Sequence, residues 1–206
     1  MLELLTATET ESLERNRGMI EIKTLEIAGM ASVLQALRLP FGKECRSLCE
    51  WVGDLDKNRF ELQSHGIIDN KDLNLLSVLV KRGDEHCKAL RGLIVYAEIN
   101  APRFFWQEAD TYRIGTERLS SESTMHIQGQ GLSTEQLVKM KSELTEGTMQ
   151  KRVQYFSYPT LRRIWIQRHN HRLPHWHKFC EWIEGLPFFD ILIMPDKEKF
   201  IKKTEE

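Results

Sequence analysis

The sequence from Ala101 to His126 reads APRFFWQEADTYRIGTERLSSESTMH and gathers aromatic residues, arginines and small hydroxyl residues within one short stretch. Pro102 suits the first turn of a helix, and Phe104, Phe105 and Ala109 have the spacing of a buried helix face. We therefore expect a strand to end at Pro102 and a helix to follow it. Guanidinium, hydroxyl and backbone amide groups beyond that helix are the donors that bind phosphate groups. The stretch predicts a strand-to-helix junction beside an anion-binding site.

The segments on either side of the junction predict both strands and helices. Residues 92–100, GLIVYAEIN, are β-branched and aromatic, which is typical of a largely buried strand. Before them, an Asp/Asn cap and Gly83 bound a helix whose leucines recur at helical spacing. After the junction, Ser133 and Gln136 form the pattern of a capping box and predict a helix that runs to Gly147.

Three further segments are predicted to be helical. GMASVLQALRL (29–39) and ECRSLCEWVG (44–53) each place apolar residues three and four apart. Residues 148–187 alternate basic and aromatic residues and predict two or three short helices, broken at Pro159 and Pro174. The whole pattern predicts a single α+β domain over residues 1–206, with a central sheet flanked by helices and with 1–20 and 196–206 peripheral.

The composition limits the classes of function. The 29 basic and 30 acidic residues give a net charge of −1, so no general attraction to nucleic acid is expected and any anion site must be local. No apolar window approaches the length of a membrane span, and we expect a cytoplasmic protein. The 4 cysteines are too few for a disulfide framework in 206 residues, so we expect free thiols.

The 101–126 stretch resembles the signature segment of the flavin-dependent thymidylate synthases. In that family Ala-Pro ends a strand, and the next helix leads into the motif RHRxxSxNExSxRY. Arg113 occupies the position of the last Arg of RHR, and Thr116 that of the first Ser. Glu122-Ser123 reads as the Glu-x-Ser end of the motif if two residues are inserted. At the junction itself the matching residues are Ala101, Pro102 and Phe104.

The sequence departs from the family pattern at several charged positions. Thr111 and Tyr112 replace the first Arg and the His of the motif, and Met125 replaces a substrate-binding Arg. Glu181 stands where the family has another substrate Arg. Two or three charge-assisted contacts, each worth roughly 1.5 to 3 kcal/mol, are therefore absent. The departures predict either a different substrate or a loss of activity.

The resemblance covers residues 70–185 in order. Arg152 falls about where the family has an Arg that binds the substrate phosphate, in a segment that we expect to be helical. Asn170 and Arg172 match its flavin-contacting Asn-x-Arg. These positions extend the resemblance beyond the 101–126 stretch.

The resemblance implies a flavin enzyme whose site lies between the subunits of a homotetramer. FAD, NADPH and methylenetetrahydrofolate are the implied cofactors, and a pyrimidine nucleotide is the implied substrate. The implied cofactor-binding residues are Tyr112, Arg113, Thr116, Asn170 and Arg172. The implied substrate-binding residues are Glu122, Ser123 and Arg152. No catalytic residue is assigned, because the family activates uracil by polarisation rather than through an enzyme nucleophile.

The same residues allow a second hypothesis. Arg113 is as consistent with a surface ion pair to Asp110 or Glu117 as with a phosphate site. Arg152, Asn170 and Arg172 have the composition of ordinary polar residues on helix surfaces. A catalytically degenerate protein of the same fold, which binds a nucleotide or a macromolecular partner, therefore remains an alternative to the enzyme.

A third hypothesis, a His/Cys metal-binding protein or a nucleic-acid-binding protein, depends on the last third of the chain. His169, His171, His175, His177 and Cys180 are residue types that bind zinc. They are interleaved with Arg and Trp and interrupted by a proline, which does not favour a tetrahedral set, and we predict no metal site. The basic and aromatic stretch 151–182 is the feature on which a nucleic-acid-binding role would depend.

Overall fold

The computed structural model describes residues 18–43, 49–54, 59–64 and 70–201. Most of the predicted peripheral segment 1–20, and the end of the charged tail 196–206, lie outside these ranges. The six strands of the described residues are β1 (Glu21–Ala28), β2 (Cys49–Asp54), β3 (Arg59–Ser64), β4 (Ile94–Pro102), β5 (Thr116–Ser121) and β6 (Met149–Ser157).

The α-helices alternate with these strands along the chain. They are α1 (Met30–Arg38), α2 (Asn70–Arg82), α3 (Arg103–Ala109), α4 (Thr124–Ile127), α5 (Thr134–Ser142), α6 (Tyr158–Arg168), α7 (Pro174–Glu184) and α8 (Glu198–Ile201). Short 3-10 helices cover Leu39–Phe41 and Lys88–Gly92, and a π-helical turn covers Phe189–Ile193. Within the described part of the chain, no helix is long and apolar enough to cross a membrane.

Four strands form an antiparallel sheet in the order β1-β4-β6-β5. The predicted strand at 92–100 is confirmed as β4, which pairs with β6 from Ile94 opposite Ser157 to Pro102 opposite Met149. Alternate residues of β4 are fully buried, as expected for an inner strand with one face against the core. The α+β prediction is confirmed, and the strand-to-helix junction lies at Pro102 as expected.

Two helix predictions are wrong because the strands that form there depend on distant partners. Residues 49–53 of the predicted helix 44–53 instead belong to β2, which pairs with β3 from Cys49 opposite Ser64 to Asp54 opposite Arg59. Residues 44–48 lie outside the described ranges. A short apolar segment does not distinguish helix from strand by spacing alone, and the ladder with β3 decides the outcome.

The second correction concerns residues 149–157, which form β6 rather than a helix. Arg152, Gln154 and Phe156 are buried in alternation on one face of this strand. Two of these three residues are polar, so the alternation of buried and less buried residues does not appear in the sequence as a hydrophobic pattern. Pro159 does not break a helix: it lies in the first turn of α6, where its missing N–H costs no hydrogen bond.

Helices α3, α6 and α7 cover the inner face of the sheet with aromatic side chains. The rings of Phe105 and Trp176 lie 4.6 Å apart, and Phe179 packs edge-on against Phe156 at 5.6 Å. Strand β1, which the sequence pattern did not reveal, joins this layer because Trp182 donates its indole N–H to the hydroxyl of Thr24 at 2.9 Å. The core therefore fixes α3 and β6 side by side.

Helix α5 begins as the sequence predicts. The hydroxyl of Ser133 accepts the backbone N–H of Gln136 at 3.3 Å, and the Gln136 side chain accepts the backbone N–H of Ser133 at 2.9 Å. The capping box is confirmed. Its reciprocal hydrogen bonds satisfy two of the free amides at the helix start.

Candidate functional site

A cleft of about 350 Å³ lies where one side of α3 and the first half of β6 meet the end of α5. Its polar lining comes from three elements that are distant in sequence. The residues that carry charge or an amide there are Arg103, Gln107, Asp110, Lys141, Gln150 and Arg152. Because three of these are cations and one is an anion, the cleft has the charge of an anion-binding site.

Arg152 is the central residue of the cleft, with only 7% of its surface exposed. Its guanidinium lies 4.3 Å from the centre of the Trp106 ring. The Nε group donates to the side-chain oxygen of Gln150 at 3.2 Å, and Nη1 donates to Asp110 at 2.7 Å. Burial lowers the pKa of the Arg152 guanidinium, and the charge of Asp110 opposes this shift. A buried, stacked guanidinium is rigid and suited to a phosphate oxygen.

Trp106 holds this arrangement in place from beneath. Its ring is almost fully buried, and its indole N–H donates to the backbone oxygen of Gln150 at 2.9 Å. The hydrogen bond ties α3 to β6 directly under Arg152. The stacking surface and the neighbouring Gln150 side chain therefore move as one unit with the strand.

Of the three substrate-binding candidates, Arg152 lines this cleft, whereas Glu122 and Ser123 lie beside it and are not part of its lining. Ser121 lies opposite Arg152 in the sheet, which brings Glu122 and Ser123 to the same end of β6. The Glu122 carboxylate accepts the backbone N–H of Lys151 at 3.0 Å, and its backbone oxygen accepts the Gln150 amide at 3.2 Å. Ser123 precedes α4 without capping it through its side chain. Arg152 reaches the cleft from a strand, and not from the expected helix.

Tyr112 and Arg113, two of the cofactor-binding candidates, are neighbours in the sequence but have different surroundings. The hydroxyl of Tyr112 accepts from Arg168 and donates to Gln167, each at 2.8 Å. Arg113 is exposed and has no hydrogen-bond or ion-pair partner among the described residues. The alternative surface pair with Asp110 does not form, because Asp110 binds Arg152. Arg113 is therefore open to an external anion.

The loop that carries Arg113 is fixed by the start of α6. The backbone oxygen of Ile114 accepts from the Thr160 hydroxyl at 2.6 Å and from Arg163 at 2.8 Å. Gly115 has a φ of +77°, and a Cβ there would meet the hydroxyls of Ser157 and Thr160. A glycine is required at this position both for the backbone conformation and for the close approach.

Thr116 is buried at the start of β5 and faces away from solvent. Its hydroxyl accepts the side-chain amide of Gln154 at 2.8 Å. This contact joins two strands of the sheet. The structure thus separates Thr116 from Arg113, although the two residues are only three positions apart.

The turn between α6 and α7 carries Asn170 and Arg172, both exposed. Between them, the His171 ring lies 6.2 Å from the Trp176 ring, and the Tyr112 ring lies 6.0 Å from Trp176 on another side. The structure therefore brings this turn and Tyr112 to the same end of α7. Four of the five cofactor-binding candidates lie on this turn or next to Tyr112 in the sequence: Tyr112, Arg113, Asn170 and Arg172.

Glu108 organises this end of α7, and the sequence reasoning missed it. Its carboxylate accepts from Arg168 at 2.7 Å and from the Trp176 indole at 2.8 Å, and the His171 ring nitrogen lies 3.5 Å away. Arg103, Lys141 and Gln150 of the cleft were missed as well. Glu108 and Arg103 lie inside the 101–126 stretch. Lys141 lies on α5, whose sequence pattern does not indicate a site.

The histidines of the last third have separate surroundings. His169 stacks on Trp165 at 4.4 Å, and a ring nitrogen of His175 lies 3.0 Å from the backbone oxygen of Gly18. In the described ranges, no group of three or more His, Cys, Asp or Glu side chains could hold a metal ion. Burial raises the pKa of the Cys180 thiol to about 12, so this thiol is not a nucleophile near neutral pH.

Comparisons with known proteins identify the fold. No protein-family model matches the sequence, and no curated protein matches it. Thymidylate synthase X from Helicobacter pylori, solved with FAD and dUMP, superposes with a TM-score of 0.58 and 15% identity over 85% of this chain and 97% of that one. A second structure of the flavin-dependent thymidylate synthase from Helicobacter pylori, complexed with FAD and dUMP, gives 0.56 and 15% over 84% and 97%. The chain therefore has the fold of these enzymes.

Proposed function

We propose that this protein is a divergent flavin-dependent enzyme that transfers a one-carbon unit or a hydride to a pyrimidine nucleotide. Its cofactors are FAD, with NADPH and methylenetetrahydrofolate as co-substrates, and it assembles as a cytoplasmic homotetramer. The fold supports this proposal, because the neighbours of the same fold were solved with FAD and dUMP. The observation that carries the proposal is the buried guanidinium of Arg152 in a cleft with a cationic rim.

The cleft suits the phosphate of a nucleotide better than it suits a neutral ligand. Arg103 and Lys141 add two positive charges to that of Arg152, against the single negative charge of Asp110. Nη2 of Arg152 has no hydrogen-bond partner among the described residues. A phosphate oxygen would accept that N–H in a partly buried site, where a charge-assisted hydrogen bond is stronger than in water.

The residues at the end of α7 fit a flavin nucleotide in part. Arg113 and Arg172 are exposed guanidinium groups without partners among the described residues, and each can bind a phosphate of FAD. Tyr112 and Asn170 lie on the same two segments. Thr116 does not fit, because it is buried and its hydroxyl is bonded to Gln154. When bound, the flavin supplies the hydride chemistry, and these residues hold and orient it.

A second candidate function is nucleotide binding without catalysis. Asp110 already neutralises part of the charge of Arg152, and Met125 is half-exposed where the related enzymes have an Arg. Glu181 also replaces an Arg, but it lies at a separate depression with Lys178 and Trp182. Glu181 therefore does not line the Arg152 cleft within one chain. Loss of substrate affinity would leave a protein that retains the fold and a weakened site.

Arg113→Ala should weaken the binding of FAD by about tenfold, because one charge-assisted contact to a phosphate is worth roughly 1.5 kcal/mol or more. The side chain is exposed, so the fold should be unaffected. Quenching of flavin fluorescence on titration with protein measures the affinity. Arg82→Ala, at the exposed end of α2, is the matched control and should bind FAD as the wild type does. A wild-type protein without flavin affinity at high micromolar FAD would contradict the proposed function.

Wild-type protein with FAD should oxidise NADPH only slowly in the presence of dUMP and methylenetetrahydrofolate. A doubly charged phosphate needs several donors to replace its hydration, and here Asp110 competes for the central one. The measurement is NADPH absorbance over time with dUMP, UMP, dCMP and dTMP in parallel. A nucleotide other than dUMP that stimulates oxidation supports the divergent enzyme. Rapid formation of dTMP from dUMP would show an ordinary thymidylate synthase instead.

A further inference from the structure

We propose that Asp110 is a built-in competitor of the substrate's phosphate, and that it sets the affinity and charge selectivity of the Arg152 cleft. This inference rests on the proposed function, because it concerns the same cleft. The other charged residues named for this site attract the phosphate, whereas Asp110 opposes its binding.

The geometry of the Arg152 guanidinium carries the argument. One face of the group is covered by the Trp106 ring at 4.3 Å, and its Nε edge is occupied by Gln150 at 3.2 Å. The remaining end, formed by Nη1 and Nη2, is the end that binds phosphate or carboxylate through two parallel hydrogen bonds. Asp110 occupies Nη1 at 2.7 Å. An incoming phosphate therefore shares this end with a carboxylate that already accepts one of its N–H groups.

The position of Asp110 makes it displaceable. Its side chain is 49% exposed, whereas that of Arg152 is 8% exposed. It follows directly after the last residue of α3, where the partial negative charge of the helix terminus disfavours a carboxylate. The helix does not stabilise the Asp110 carboxylate. The exposed part of the Asp110 side chain faces water at the mouth of the cleft. The Arg162–Asp196 pair differs in this respect, because both of its side chains are largely buried, 12% and 9% exposed.

Charge decides what the cleft accepts. A phosphate on Nη2 would lie within a few ångströms of the Asp110 carboxylate, and two anions at that separation repel each other unless one moves. A dianionic phosphate must therefore displace Asp110 or bind weakly beside it. Removing the carboxylate charge should strengthen binding, which is the opposite of what the loss of a supporting residue would do.

The test compares Asp110→Asn and Asp110→Ser with the wild type by isothermal titration with inorganic phosphate, dUMP and deoxyuridine at low ionic strength. Both variants should bind phosphate and dUMP roughly tenfold tighter, since one charge-assisted contact becomes available to the ligand. Deoxyuridine, which has no charge, should bind with unchanged affinity. Two variants are used so that the comparison survives if one of them does not fold.

Two controls separate this role from a general effect of charge. Asp84→Asn removes a carboxylate that is paired with Arg163 at 3.2 Å outside the cleft, and it should leave phosphate binding unchanged. The double variant Asp110→Asn/Arg152→Gln should lose the gain completely. Folded Asp110 variants that bind phosphate and dUMP no tighter than the wild type would overturn the inference and leave the proposed function standing.

A different result would be informative about the function itself. If the variants gain affinity for inorganic phosphate while no form binds dUMP, the competitor role holds and the nucleotide assignment fails. If neither the wild type nor any variant binds phosphate or dUMP, the cleft is not an anion site, and both proposals are wrong.

Discussion

Glu108→Ala should lower the free energy of unfolding by about 3 kcal/mol or more. The Glu108 carboxylate accepts from Arg168 at 2.7 Å and from the indole of Trp176 at 2.8 Å, and it joins α3 to α6 and α7. Trp176 is fully buried and the Arg168 side chain is only 18% exposed. Truncation would leave a buried indole N–H without an acceptor and a largely buried cation without its counter-charge.

Urea denaturation of the folded variants measures this effect. Glu108→Gln keeps an acceptor for one donor but removes the charge, so it should fall between the wild type and Glu108→Ala. Glu85→Ala is the matched control, because Glu85 is 80% exposed and forms only a surface pair with Lys88. That substitution should change the stability by less than about 0.5 kcal/mol. A Glu108→Ala variant within about 1 kcal/mol of the wild type would show that water replaces the lost contacts.

The same network also contacts residues of the proposed flavin site. Arg168, which Glu108 holds, also donates to the hydroxyl of Tyr112 and lies 4.5 Å from the centre of the Trp176 ring. Two segments with cofactor-binding candidates therefore depend on one carboxylate for their relative position. A glutamate near the C-terminal end of α3, with no motif of its own, thus holds Arg168 and Trp176 at the N-terminal end of α7.

Elements with local signals could be predicted from the sequence. The junction at Pro102 was predictable because a β-branched run, a proline in the first helical turn and a helical apolar pattern follow one another. The start of α5 was predictable because Ser133 and Gln136 satisfy each other's backbone amides without any other part of the chain. In both cases the physical cause lies within a few residues.

The failures have non-local causes. Strand β6 forms because it pairs with β4 on one side and with β5 on the other. The sequence of residues 149–157 does not by itself indicate either partner. Its inward face carries Arg152 and Gln154, which are polar because they belong to the cleft and to the contact with Thr116. One of the two polar residues that obscured the strand pattern, Arg152, thus lines the candidate cleft.

The pairing of Asp110 illustrates the same limit at the level of side chains. From the sequence, its natural partner was Arg113, three positions away, and the structure gives it Arg152 instead. The distinction matters for function, because it leaves Arg113 open and places a carboxylate in the anion cleft. The register between β4 and β6, together with the packing of α3 beside β6, brings Asp110 to Arg152.

Arg152→Gln should reduce the affinity for inorganic phosphate and for the most tightly bound of dUMP, UMP, dCMP and dTMP by roughly a hundredfold. The substitution removes the only buried cation among the cleft-lining residues and its preorganised donors. The fold should survive, because Asp110 is half-exposed and water can hydrate it once its partner is gone. Isothermal titration measures the affinity, and circular dichroism verifies the fold.

The contrast between Arg152 and Arg113 makes this prediction specific. Arg152→Gln should weaken nucleotide binding while FAD affinity stays close to that of the wild type. Arg113→Ala should weaken FAD binding while nucleotide affinity stays close to that of the wild type. Arg82→Gln removes an exposed arginine outside the cleft and should change neither affinity. If Arg152→Gln and wild type bind phosphate and nucleotide equally, the cleft is not the substrate site. If each arginine variant weakens both ligands equally, the two candidate groups form one anion site rather than separate sites for substrate and cofactor.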